Sequence, residues 1–218
     1  MDTECEGLVI RETRILKGRR MILLFTDRFG MISAGTSVSE RGKNRSALAI
    51  RRFTRGVYQL RRNRGSTSII GGDILHSYYD LSLDYDKFAS ASLALEFTVK
   101  ILPEEVPSPK IYELLVTFLE MLEKRKKSFD TLTAAYFVKV LKLSGVFPDA
   151  ENFEYDELLS ELDFGIVRIL VYLAESPLGQ LEKLALDDEL AARLLRLVIR
   201  YSEFHLDIGA LKSDLPKK

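Results

Sequence analysis

Arg20-Met21-Ile22-Leu23-Leu24-Phe25-Thr26-Asp27-Arg28-Phe29-Gly30 decides how the first part of this chain reads. Residues 20–26 are rich in strand formers, and Asp27 to Gly30 supply turn chemistry, with Gly30 free to take a positive φ. A return strand through Met31-Ile32-Ser33-Ala34-Gly35 follows. Upstream, Gly7-Leu8-Val9-Ile10-Arg11 begins another extended run. Downstream, Val38 to Arg45 mixes Ser, Gly, Asn and charge without an apolar period and reads as a mobile loop. Ile50 to Leu60 alternates loosely and is expected to be a fourth strand. Arg61-Arg62-Asn63-Arg64-Gly65-Ser66 then makes a hairpin tip leading into Thr67-Ser68-Ile69-Ile70. Five short strands in about 75 residues suit a small barrel, and a five-stranded OB-type β-barrel is the expected form.

The remainder reads as helices. Asp86 to Ile101 carries Phe88, Leu93, Leu95, Phe97 and Ile101. The stretch from Pro103 to Pro109 breaks it, and Ser108 with Pro109 opens the next helix, which runs to Lys124 and ends in cations that suit its dipole. Another helix starts at Asp130 or Thr131 and stops at Gly145, and further helices are expected around Glu157–Leu162 and Ile166–Leu173. The last opens at Asp187-Asp188-Glu189 and runs to about His205. The fold class is therefore α+β in two domains: residues 1–80 a basic nucleic-acid-binding barrel, residues 81–218 a helical domain for packing and partner docking.

With 46% hydrophobic and 29% charged residues, the 218-residue chain can bury a core. No apolar run approaches the roughly 18–20 residues of a membrane span. The N-terminus lacks a secretory layout, and the lone Cys5 can make no internal disulfide, so an intracellular, cytoplasmic protein is expected. His76 and His205 stand apart, outside any metal-binding spacing, and no nucleophile elbow or phosphate loop is present. Neither catalysis, a metal nor a cofactor is expected.

Charge is the informative quantity. The formal net charge is zero, yet residues 1–75 carry fifteen Lys/Arg against seven Asp/Glu, and thirteen of the fifteen are arginine. Between Arg14 and Arg64 the balance is +12. The clusters Arg14-Lys17-Arg19-Arg20, Arg41-Lys43-Arg45, Arg51-Arg52-Arg55 and Arg61-Arg62-Arg64, with Arg28, are the candidate DNA contacts, because guanidinium forks match phosphate. Arg51, Arg52 and Arg55 are expected along a strand, the other clusters in loops or at strand ends, as a charged rim and face rather than buried ion pairs. Phe25, Phe29, Phe53 and Tyr58 either stack on bases or fill the barrel. A basic face for an acidic protein and an RNA-binding barrel are the alternatives. In the helical part, Lys124, Arg125, Lys126 and Lys127, with Lys139 and Lys142, read either as solvated helix-end charge or as a dock for an acidic peptide tail.

The order of segments resembles the RecO family of bacterial recombination mediators. The resemblance rests on Gly7 to Thr13, Arg20 to Gly30, Phe53-Thr54, Tyr58 to Gly65, Ser77-Tyr78-Tyr79-Asp80-Leu81, Tyr201 to Leu206 and Leu211-Lys212-Ser213. It implies an N-terminal OB-fold and a helical C-terminal domain. It further implies binding of single- and double-stranded DNA, annealing, and help in loading RecA onto strands coated by single-strand binding protein, at the bacterial nucleoid. The implied partners are RecR and the acidic C-terminal tail of the coating protein. Many relatives carry a four-cysteine zinc motif after a segment like Leu143-Ser144-Gly145-Val146; Phe147 to Tyr155 has no cysteine, so no zinc is expected here. Glu40 also interrupts a stretch that is usually basic in the family.

Overall fold

The computed structural model describes residues 2–15, 20–36, 45–63, 65–184 and 186–211. Two compact units emerge, Met1–Leu83 with Leu102–Glu113, and Asp84–Ile101 with Leu114–Lys218.

In the first unit, strands β1 (Asp2–Arg14), β2 (Arg20–Thr26), β3 (Gly30–Thr36), β4 (Thr54–Asn63) and β5 (Ser66–Ser77) close in the order β1-β2-β3-β5-β4. Helix α1 (Arg45–Ala49) comes between β3 and β4. All pairings are antiparallel except β3–β5, which is parallel and holds only at Gly35–Ser68 and Thr36–Ile69. This is the OB-type barrel the sequence leads one to expect. Alternation carries the core: Ile22 and Leu24 of β2, Ile32 and Ala34 of β3, and Tyr58 and Leu60 of β4 all point inward. Tyr58 hydroxyl donates to the Ala49 carbonyl (2.6 Å), tying the end of α1 to the interior.

The strand expected over Ile50–Leu60 begins only at Thr54. Residues 50–53 form a turn instead, in which Arg51 N–H donates to Leu48 O and Phe53 takes φ +66°; residues 45–49 before it are helical, with Ala47, Ala49 and Ile50 buried. Arg51 and Arg52 therefore lie in that turn, not along a strand as expected. β1 also starts earlier than Gly7, and β5 continues past Ile70 to Ser77. The stretch read as a mobile loop lies outside the described residues up to Asn44.

The segment Leu102–Glu113 belongs to this unit. Glu105 N–H donates to the Met31 carbonyl (2.9 Å), Met31 and Glu104 form an isolated parallel bridge, and Tyr112 packs edge-on against Phe25 (5.4 Å). Its close approach requires Gly30, whose φ is +71°; a β-carbon there would sit 2.1 Å from the Val106 carbonyl oxygen.

The second unit is built around α4 (Phe129–Leu143), which is buried from Thr131 to Val138. α2 (Tyr85–Ile101) contributes Phe97, stacked on Phe137 at 3.9 Å, and Thr98, whose hydroxyl pairs with Tyr136 at 2.6 Å. Helix α3 spans Pro109–Lys124, with the division between the units falling inside it. α5 (Phe164–Glu175) and α6 (Asp188–Leu206) open on Asp163 and Asp187, whose carboxylates accept from Ile166 and Leu190 N–H. The helix expected at Glu157–Leu162 is instead a series of turns. Asp156 carboxylate accepts from Leu158 and Leu159 N–H there as at a helix start, but Leu162 N–H turns back to Leu159 O and the segment does not extend.

Candidate nucleic-acid interface

β1 opens Asp2-Thr3-Glu4-Cys5-Glu6, placing its acids on one face with period two. Its register with β4 sets Asp2 opposite Arg61, and Glu6 opposite Val57, one diagonal step from Arg55. Arg61 donates to both Asp2 oxygens (2.9 and 3.0 Å), and this hydrogen bond lowers the carboxyl pKa. Arg55 donates to Glu6 (2.7 Å), which also accepts from Tyr112 hydroxyl (3.0 Å). Donating to Glu6 holds the Arg55 guanidinium more firmly charged, while burial pushes the Tyr112 phenol up. Across β1–β2, Arg20 donates to Glu12 (2.6 Å) and its side chain is 5% exposed.

The expected rim without buried ion pairs is thus corrected. Two pairs, Arg20–Glu12 and Arg55–Glu6, are buried or half-buried, and Arg61–Asp2 is an exposed pair. The acids involved precede Arg14 in sequence and reach the arginines by strand pairing. Their period-two spacing in β1 was the available signal.

Arg14, Arg28, Arg51 and Arg62 are exposed, and Arg52 is half-buried with its guanidinium 4.9 Å from the Phe53 ring centroid. Lys17, Arg19, Arg41, Lys43, Arg64 and the side chain of Arg45 lie outside the described residues. Among the four aromatics, Phe25, Phe53 and Tyr58 are buried, but only Tyr58 belongs to the barrel core; Phe25 lies on the other face of β2, against Tyr112. Phe29 is half-buried, and the guanidiniums of Arg28 and Arg62 lie 5.7 and 5.0 Å from its centroid. The β2–β3 turn and the far end of β4, well separated in sequence, are brought together there.

Between β3 and β5, where pairing is so short, runs a groove of about 650 Å³. Ile15, Arg20, Met21, Ser33, Gly35, Thr36 and residues 65–70 line it, mixing one guanidinium and several hydroxyls with the exposed apolar side chains of Ile15 and Ile70. It brings the end of β1 at Ile15, the start of β2 and the start of β5 together with the strand 2–3 face, the face on which OB barrels bind oligonucleotides. Of this lining the sequence reading named only Arg20; the rest was missed, because serines and threonines in strands carry no distinctive spacing.

In the helical unit Lys124, Lys126 and Lys127 are exposed, and half-buried Arg125 donates to the Lys127 carbonyl (2.9 Å). Lys126 and Lys127 line a cleft shared with Asp86, Asp130 and Asp188, each in the first turn of its helix. Burial, then the Asp86 charge, raises the Asp130 pKa. Lys139 and Lys142 lie elsewhere on α4. Lys139 caps α5 through the Ala174 carbonyl (3.0 Å) and has its pKa lowered by burial; Lys142 pairs with Glu175, whose hydrogen bond raises its pKa, and with Asp149. The segment after Val146 packs Phe147 edge-on against Phe153 and Tyr201, each at 5.4 Å. That apolar cluster does not fit a zinc ion. Among the described residues no group of three or more His, Cys, Asp or Glu can hold a metal, and no helix is long and apolar enough to cross a membrane.

Residues 82–152 match the family described as Recombination protein O C terminal. Proteins named DNA repair protein RecO are similar to this chain: those of Listeria welshimeri (26% identical over 151 residues) and Halalkalibacterium halodurans (24% over 149) each align with 68% of this chain and 58% of their own length. That of Exiguobacterium sibiricum is 27% identical over 148 residues, 68% of this chain and 59% of its own. The chain is related to the RecO family. It thus spans about 58% of the length of the curated relatives it matches. The matched family segment, 82–152, begins shortly before α2 and ends beyond α4.

Proposed function

We propose that this chain is a RecO-like mediator of DNA repair and recombination that acts by binding rather than by catalysis. It binds single- and double-stranded DNA, anneals complementary strands and assists RecA loading onto strands coated by single-strand binding protein. The observation that carries this reading is the OB-type groove between β3 and β5, with Arg20 in its lining and exposed Arg62 in the cleft that adjoins it. Relatives named DNA repair protein RecO support the same reading. Of the candidate contacts, Arg14, Arg28, Arg51 and Arg62 are assigned to phosphate, joined by Lys17, Arg19, Arg41, Lys43, Arg45 and Arg64. Arg20, Arg55 and Arg61 are assigned first to holding β1. RecR is the proposed partner, along with an acidic C-terminal tail docking at Lys124, Arg125, Lys126 and Lys127; Lys139 and Lys142 are engaged with α5.

The test is annealing of two labelled complementary strands, bare and then coated. Acceleration in both states is expected; none in either would overturn the reading. R28Q/R62Q should weaken single-strand binding and flatten the plot of log K against log salt by about 0.7 for each phosphate that the variant no longer neutralises. An acidic, Phe-ended peptide, followed by anisotropy, should bind the wild type and lose affinity on K126E/K127E.

A further inference from the structure

β3 pairs with β5 only at Gly35 and Thr36, so from there back toward Gly30 its outer edge meets something else. At Met31 that edge is taken by the segment following Leu102, through the Met31–Glu104 bridge and the Glu105 N–H to Met31 O bond. Between these two points the seam is open, and a cleft of about 370 Å³ occupies it. Ser33, Gly65, Ser66 and Thr67 line both this cleft and the larger groove, so the two adjoin. On the far side the smaller cleft is walled by Glu104 and Glu105, with Arg62 and Asn63 completing it.

Both carboxylate-bearing residues are exposed and held in place by backbone. Glu105 has φ +58°, a conformation that costs an L-residue energy and favours glycine, yet a glutamate stands there. The next residue, Val106, lies against Gly30, where no side chain fits. Two acids are thus fixed at the end of a track that is otherwise cationic or neutral.

We propose that Glu104 and Glu105 act as an acidic stop that ends the nucleic-acid track of the barrel. They repel the next phosphate of a strand lying in the groove and thereby set how many nucleotides the barrel engages. The idea rests on the groove being the single-strand site. Short strands that fill the groove never reach the stop, whereas longer ones must turn away from it or be repelled.

Strand length separates this from a general gain in positive charge. Wild type, E104Q/E105Q and the control E4Q/D73N, which neutralises two exposed carboxylates of the same unit outside both clefts, are titrated with oligonucleotides of about 4 and about 16 nucleotides, the range of OB site sizes. At about 50 mM salt, E104Q/E105Q should bind the longer strand about threefold to tenfold more tightly and with a steeper salt dependence, leaving the shorter one unchanged. E104K, which keeps Glu105 in its native conformation, should do the same, and melting curves verify folding. Equal tightening for both lengths, an equal gain in the control, or no change would overturn the stop. Failure of the wild type to bind either strand would instead remove the groove reading and the stop with it.

Discussion

Gly30 combines two demands that a single methyl group cannot meet. Its φ is +71°, and the Val106 carbonyl approaches to where a β-carbon would be. G30A should therefore destabilise the barrel unit by more than about 1 kcal/mol, the usual cost where alanine cannot adopt the native backbone, read as a lowered thermal midpoint. Cys5 makes a second residue-scale prediction. Burial, followed by the charge of Asp27, raises its thiol pKa from 9.0 to about 11. A raised pKa means the fold favours the protonated thiol. That stabilisation is complete below pH 9.0 and is lost as pH rises toward about 11. Denaturant unfolding at pH about 8 and about 10 should show wild-type stability falling, and C5A should show a smaller fall. The native thiol should also resist alkylation until the barrel unfolds.

At the scale of elements, α5 and α6 show what a local pattern can specify. Asp163 and Asp187 sit just before an apolar period and accept from N–H groups three residues on, at 3.0 and 2.8 Å. D163A and D187A should each cost about 1 kcal/mol, measured by chemical denaturation. The Asp187 cap, the Gly145 stop and the β2–β3 turn were all legible because their determinants lie within a few residues. α1 was not. Its five residues follow a polar stretch and precede Phe53, whose large ring suggests a strand although its φ is +66°. The turns at 157–162 were not legible either: Asp156 accepts from Leu158 and Leu159 N–H as a helix cap does, yet Leu162 N–H turns back to Leu159 O after a single turn. Half the candidate site was likewise hidden. Arg61 and Arg55 meet acids 59 and 49 residues away, a relation that exists only once β1 and β4 are in register. Arg28 and Phe29 were visible as types, but their meeting with Arg62 was not.

For the whole molecule, charge asymmetry survives the true division into units but shrinks. Adding the charges of Tyr79–Leu83 and Leu102–Glu113 leaves the barrel unit at +5 and the helical unit at −5. Long-range attraction to a polyanion should accordingly weaken steeply between about 50 and about 200 mM salt, a dependence that stopped-flow association rates would reveal. The interleaving of the units has a consequence for how this protein is made. Helix α2 leaves the ribosome before Val106 and Tyr112, so the barrel waits, incomplete, while a piece of the other unit is synthesised first. A fragment stopping at Leu83 would lack the residues that cover Gly30 and Phe25, and should be less protease-resistant than one extended to Glu113. Exchange of the barrel between homologues would accordingly have to carry two separate pieces of gene.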